Sequence, residues 1–260
     1  MTILEKINTY KKMEVASKKE AFPISLLEQS SFFKNPTISM VNSIKKNRVG
    51  IIAEHKRKSP SKSVINDKIL LPEVVKGYEN AGASAISVLT DTAFFGGSLD
   101  DLLLARKNVS LPILRKEFIV DSYQIVEAKA YGADAILLIA ASLSQKEIST
   151  LSKLAKELQL EVLVEIHSEE ELEKALHLSV DMIGVNNRNL KTFEVSIENS
   201  IRLSEKIPSQ FLKISESGIN SSENIKQLLN HGFEAFLIGE HFMKTDHPGE
   251  ALHTFLCELS

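Results

Sequence analysis

Short apolar runs rich in β-branched residues recur along the chain, separated by stretches that are polar on one side. The runs are Val49 to Glu54, Ala85 to Leu89, Pro112 to Lys116, Asp134 to Ile139, Glu161 to Ile166, Asp181 to Val185, Phe211 to Ser215 and Ala235 to Ile238. Each has strand length. The stretches between them show helical spacing; in Lys146 to Leu158, for example, Ile148, Leu151, Leu154, Ala155 and Leu158 share a face. Strand alternating with helix eight times predicts parallel strands joined by right-handed crossovers, and eight such units close a (β/α)8 (TIM) barrel.

A weak internal repeat supports this class. Asn80-Ala81-Gly82-Ala83-Ser84, Tyr131-Gly132-Ala133-Asp134 and His231-Gly232-Phe233-Glu234 each place a glycine at a helix end just before a strand, where a left-handed cap costs glycine little. Such caps occur in any α/β protein, so an open doubly wound sheet stays as the alternative. Residues 1 to 48 fall outside the repeat: Thr2 to Ala21 reads as a helix rich in lysine and glutamate, followed by Pro23 to Ser30 and Thr37 to Lys46. They are expected to form a helical extension packed on the barrel, over its bottom or its rim. No low-complexity linker sets them apart, so residues 1–260 read as one domain.

With 260 residues, 43% hydrophobic, a single large core is affordable. The net charge of −3 provides no global basic field for nucleic acid or an anionic membrane surface, so local groups must hold any anionic ligand. Cys257 has no partner for an intrachain disulfide and no metal-ligand spacing. The N-terminus lacks the apolar region of a signal peptide and no 18-residue apolar run occurs, which points to the cytoplasm.

Strand parity locates the chemistry. Side chains two apart lie on one side of a strand, so ionisable residues that continue the parity past a barrel strand point into its mouth. Ile52, Glu54 and Lys56 form one such set, and Leu114, Lys116 and Phe118 another. Leu163 with Glu165, Asn186 with Arg188, and Ile214, Glu216 and Gly218 complete the series. Three carboxylates (Glu54, Glu165, Glu216) and three cations (Lys56, Lys116, Arg188) should then meet in one cavity. Buried charge is costly unless paired, and both signs are present for pairing. Two turns, at Ser217-Gly218 after the seventh strand and Gly239-Glu240 after the eighth, are each expected just before a helix. This is where barrels commonly bind phosphate through backbone N–H groups.

Six segments in order resemble the indole-3-glycerol phosphate synthase family: Glu54-His55-Lys56-Arg57-Lys58-Ser59-Pro60-Ser61, Leu114-Arg115-Lys116-Glu117-Phe118-Ile119, Val164-Glu165-Ile166, Gly184-Val185-Asn186-Asn187-Arg188-Asn189-Leu190, Ser215-Glu216-Ser217-Gly218-Ile219 and Leu237-Ile238-Gly239. The resemblance spans the chain, extension included. Glu117 stands where the family usually has aspartate, and Ser63 follows Lys62 where glycine is expected. No motif residue that would carry the reaction is missing.

The resemblance implies conversion of 1-(2-carboxyphenylamino)-1-deoxyribulose 5-phosphate to indole-3-glycerol phosphate, with loss of carbon dioxide and water, and requires neither metal nor redox cofactor. It implies Lys116 as acid, Glu165 as base, Lys56 as second acid or phosphate anchor, and Glu54 as its orienting partner. Asn186 and Arg188 would position the substrate, Glu216 would hold the polar network, and Ser59 would line the site. Phe95, Phe118 and Leu138 would wall the anthranilate ring, and Ser217, Gly218, Gly239 and the backbone of Glu240 would hold phosphate. The charges Lys56, Arg57, Lys58 and Lys62 around Ser59-Pro60-Ser61 suggest a loop that orders over an anionic substrate as a lid. A monomer or weak homodimer is expected. The rival readings are another phosphate-binding barrel, such as phosphoribosylanthranilate isomerase or a histidine-pathway isomerase, and a non-catalytic sugar-phosphate sensor.

Overall fold

The computed structural model describes residues 1–189 and 194–259; Leu190, the last residue of its motif, lies outside them. The strands are β1 (Gly50–His55), β2 (Ala85–Leu89), β3 (Ile113–Lys116), β4 (Ala135–Ile139), β5 (Glu161–Ile166), β6 (Met182–Asn186), β7 (Leu212–Glu216) and β8 (Ala235–Ile238). All neighbours are parallel and β8 returns to β1, so the sheet closes. The open doubly wound alternative is thereby removed.

Two apolar layers follow from the alternation of side chains along each strand. Ile51, Ala53, Ile86, Val88, Ile136, Leu138, Val162 and Val164 face out and pack under the helices. Ile52, Ala85, Leu114, Leu137, Ile139, Leu163, Met182, Ile214 and Leu237 face in and fill the barrel. The expected glycine caps are left-handed at Gly82, Gly132 and Gly232, with φ of +98°, +83° and +77°. The helix Leu71–Ala81 packs on the last helix, Pro248–Cys257, through backbone at one point: a Cβ on Gly249 would lie 2.7 Å from Gly77 Cα.

The extension occupies both ends of the barrel. Helix Ile3–Ala21, opened by a capping box between Thr2 and Glu5, lies on the rim at the carboxyl ends of the strands, where Asn8 donates to Ser142 Oγ (3.0 Å). Its Lys11 is 1% exposed and is paired with Asp91 (2.9 Å) and Glu117 (3.2 Å), which follow β2 and β3. The chain then descends past helix Tyr123–Ala130, against which Leu27 packs. At the opposite end Ser39 Oγ and the N–H groups of Met40 and Val41 donate to the carboxylate of Glu161 at the start of β5. This fixes helix Met40–Lys45, whose Met40 and Ile44 join the interior cluster and plug the barrel bottom.

Candidate active site

The carboxyl ends of the strands surround a cavity of roughly 500 Å³. Glu54, Lys56, Lys116, Glu165, Asn186, Arg188 and Glu216 all border it, with Ser59, Phe95, Phe118, Ser217, Gly218, Gly239 and Glu240. The parity expectation therefore holds for every charged residue it named. At the centre Lys116 Nζ lies 2.5 Å from Glu216 Oε2 and 3.5 Å from Glu165 Oε2. Beside it Lys56 Nζ pairs with Glu54 Oε1 at 2.8 Å, and Ser87 Oγ donates to Glu54 Oε2 at 3.2 Å. Gly184 on β6 leaves room for this arrangement, because a Cβ there would sit 2.2 Å from Glu216 Oε1.

These contacts push the proton affinities apart. Burial disfavours the Lys116 ammonium, but the carboxylates of Glu216, Glu165 and Glu54 outweigh it and hold its pKa well above the ordinary value. Burial likewise penalises the Glu165 carboxylate, yet Lys116 and His167 keep it below the ordinary range. Glu216 goes the other way: burial, reinforced by repulsion from Glu165 and Glu54, lifts it to about 7 against the pull of Lys116. The site thus holds an ammonium that stays charged, a carboxylate kept ionised at neutral pH and a second carboxyl group that titrates near neutrality, so groups with well-separated proton affinities meet at one site.

The two turns expected to hold phosphate differ in detail from expectation. After β8, Gly239 caps the short helix Glu240–Met243, as expected. After β7, however, the helix begins only at Ser222, with Ser221 as its cap. Ser217 and Gly218 instead form a separate turn in which both residues are left-handed, φ +68° and +71°. Asn187 Nδ2 holds this turn by donating to Ser217 O (3.1 Å). The side chain of Glu240 pairs with Lys62 at 3.3 Å.

One wall residue is misplaced by the sequence reading. Leu138 faces outward and is fully buried among the helices; Leu137 and Ile139, its neighbours of opposite parity, border the cavity. The pairing of Ile139 with Glu165 fixes that parity. Phe95 and Phe118 do meet, with ring centroids 5.7 Å apart. In the basic loop each cation has its own partner: Lys56 with Glu54, Arg57 with Asp101 through two contacts of 2.6 and 2.8 Å, Lys58 with Ala93 O and Lys62 with Glu240.

Sequence reasoning missed several contributors, among them the rim helix, Ser87 and His167. Ile3, Leu4 and Ile7 of the rim helix border the cavity; the spacing Ile3, Ile7, Lys11, Val15 marks the buried stripe, but a lysine within it hides the signal. Ser87 continues inward parity on β2 as the partner of Glu54. His167 continues the Leu163, Glu165 set beyond β5 and faces Glu165 at 3.8 Å.

The family model for indole-3-glycerol phosphate synthase matches residues 4–255. The chain is 49% identical over 254 residues to a protein of that name from Bacteroides thetaiotaomicron, covering 98% of this chain and 97% of the relative. A protein of the same name from Acinetobacter baumannii is 44% identical, over 96% of this chain and 94% of its own length. Among solved structures, tryptophan synthase subunit alpha from Legionella pneumophila superposes with a TM-score of 0.61 at 14% identity, covering 85% of this chain and 96% of its own; that likeness is one of fold. The chain belongs to the indole-3-glycerol phosphate synthase family.

Proposed function

We propose that the cavity converts 1-(2-carboxyphenylamino)-1-deoxyribulose 5-phosphate to indole-3-glycerol phosphate in tryptophan biosynthesis. The observation that carries the reading is Lys116 held between Glu216 and Glu165 (2.5 and 3.5 Å). As the ring carbon attacks the ketone, the Lys116 ammonium is in place to protonate the developing oxyanion, and loss of carbon dioxide then restores the aromatic ring. Dehydration requires a proton removed and a hydroxyl protonated as it departs. Glu165 accepts the first, and Lys56, oriented by Glu54, supplies the second or anchors the phosphate. Phe95 and Phe118 receive the aromatic ring, Asn186 and Arg188 the polar groups, and the turns at Ser217-Gly218 and Gly239-Glu240 the phosphate. The reading extends to one cytoplasmic domain over residues 1–260, monomeric or weakly dimeric.

Fluorescence of the indole product measures turnover directly. Lys116→Met and Glu165→Gln should each lower kcat by about 10²- to 10⁴-fold, with the affinity for product largely kept, since separate turns hold the phosphate. If Lys116→Met retains more than about a tenth of wild-type kcat, Lys116 is not the acid and Lys56 takes that place.

A further inference from the structure

A base that takes a proton in every turnover must also release it. Glu165 is only 5% exposed and borders the cavity that the proposed substrate would fill. His167, two residues beyond Glu165, is the side chain placed behind it. Its Nε2 is buried, has no hydrogen-bond partner among the described residues, and lies 3.8 Å from Glu165 Oε1. Its Nδ1 lies 3.4 Å from Glu171 Oε2 on helix Glu169–Ala175, and the same oxygen accepts the His167 main-chain N–H at 2.7 Å. The ring therefore has one nitrogen on the base and the other on a second carboxylate. His167 and Glu171 also border a second cavity, of roughly 630 Å³, alongside Thr2, Ala141 and Asn199.

We propose that His167 carries the proton taken up by Glu165 into this second cavity. The proton leaves Glu165 Oε1 for Nε2 while Nδ1 gives its own to Glu171 or to water in the cavity. One O–H bond (Glu165) and one N–H bond (Nδ1) break while one N–H bond (Nε2) and one O–H bond (on Glu171 or water) form; no electrons are transferred, Glu165 returns as a carboxylate, and the ring regains its first tautomer by exchange with water in the second cavity. An Nε2 without a partner is what an acceptor waiting for a protonated Glu165 requires. Among the described residues the charged groups facing the ring are Glu165 from β5, Glu171 from its helix and Glu216 from β7; burial disfavours the imidazolium, but together they raise the pKa of His167 above its ordinary value while that of Glu165 is lowered, so it is the neutral ring that takes the proton and the transfer from Glu165 runs downhill. The proposal rests on Glu165 being the base, and His167 acts through Glu165 without touching substrate.

Chemical rescue tests it. His167→Ala should lose at least roughly tenfold in kcat with KM unchanged, and added imidazole should restore turnover saturably, with a pH dependence that follows the added base. His167→Gln, which fills the space and hydrogen-bonds but relays no proton, should stay slow with or without imidazole. Wild-type kcat in His167→Gln, or a His167→Ala enzyme that imidazole does not restore, overturns the relay. Glu165→Gln assayed in parallel separates the two ideas. If it keeps its kcat, the base assignment fails; if it is slow while both His167 variants are fast, only the relay fails.

Discussion

Two carboxylates that share one ammonium cannot both ionise freely, and around Lys116 the residue that yields is Glu216. Its pKa is lifted from an ordinary 4.5 to about 7, so between those values the folded protein holds a proton that the unfolded chain has released. The sign follows: this contribution to stability is fully present below pH 4.5 and is lost as the pH rises to about 7. Glu216→Gln, which cannot ionise, should therefore gain on the wild type as pH increases, by at most about 3 kcal/mol. Thermal melting of both proteins at pH 5 and pH 8 checks this, and a difference that stays constant with pH would show that Glu216 ionises normally. Single residues also show what sequence can and cannot disclose. Glu54, Lys116, Glu165 and Glu216 were legible because parity places each by its distance from a strand end. Leu138 was misjudged because in an all-apolar strand nothing in the sequence marks which face turns inward. The same parity that reaches Lys56 past Glu54 and Arg188 past Asn186 reaches His167 past Glu165, so its place too is readable from the sequence.

At the scale of elements, the turn after β7 leaves no room for a side chain at Gly218. A Cβ on Gly218 would lie 1.9 Å from Val195 Cγ1, and the backbone is left-handed there. Gly218→Val should raise KM by roughly 30-fold, about 2 kcal/mol, through steric exclusion and lost N–H contacts, while inorganic phosphate inhibits the wild type more strongly than the variant. Unchanged KM and unchanged phosphate inhibition in a folded variant would remove this turn from the binding site. The turn's presence was readable from Ser217-Gly218, whereas its separation from the helix at Ser222 was not. Ser221 and Ser222 both suit a helix start, and only tertiary context selects between a direct entry and an intervening turn. The eight strands, by contrast, were readable because each is a β-rich run bounded by helix-period segments.

For the molecule as a whole, the extension does separate work at the two ends of the barrel. The rim helix presents Ile3, Leu4 and Ile7 to the cavity and is held by Lys11, whereas Met40 and Ile44 close the interior from below. Removing residues 1–21 should leave a folded barrel with weakened substrate binding. Removing residues 1–46 should expose the interior apolar cluster and give an aggregation-prone or unfolded chain. Circular dichroism and light scattering on the two truncations check this; equal behaviour of both would refute the division of labour. Closure of the ring has a consequence for synthesis. The backbone contact between Gly77 and Gly249 and the pairing of β1 with β8 join the two ends of the barrel. While the ribosome is still translating, β1 has β2 on one side and an unpaired edge on the other, and that edge stays open until β8 and the last helix have left the exit tunnel. Nascent chains whose β8 is still inside the tunnel should therefore be the ones that chaperones hold, and chains extended by a linker long enough to release β8 should not.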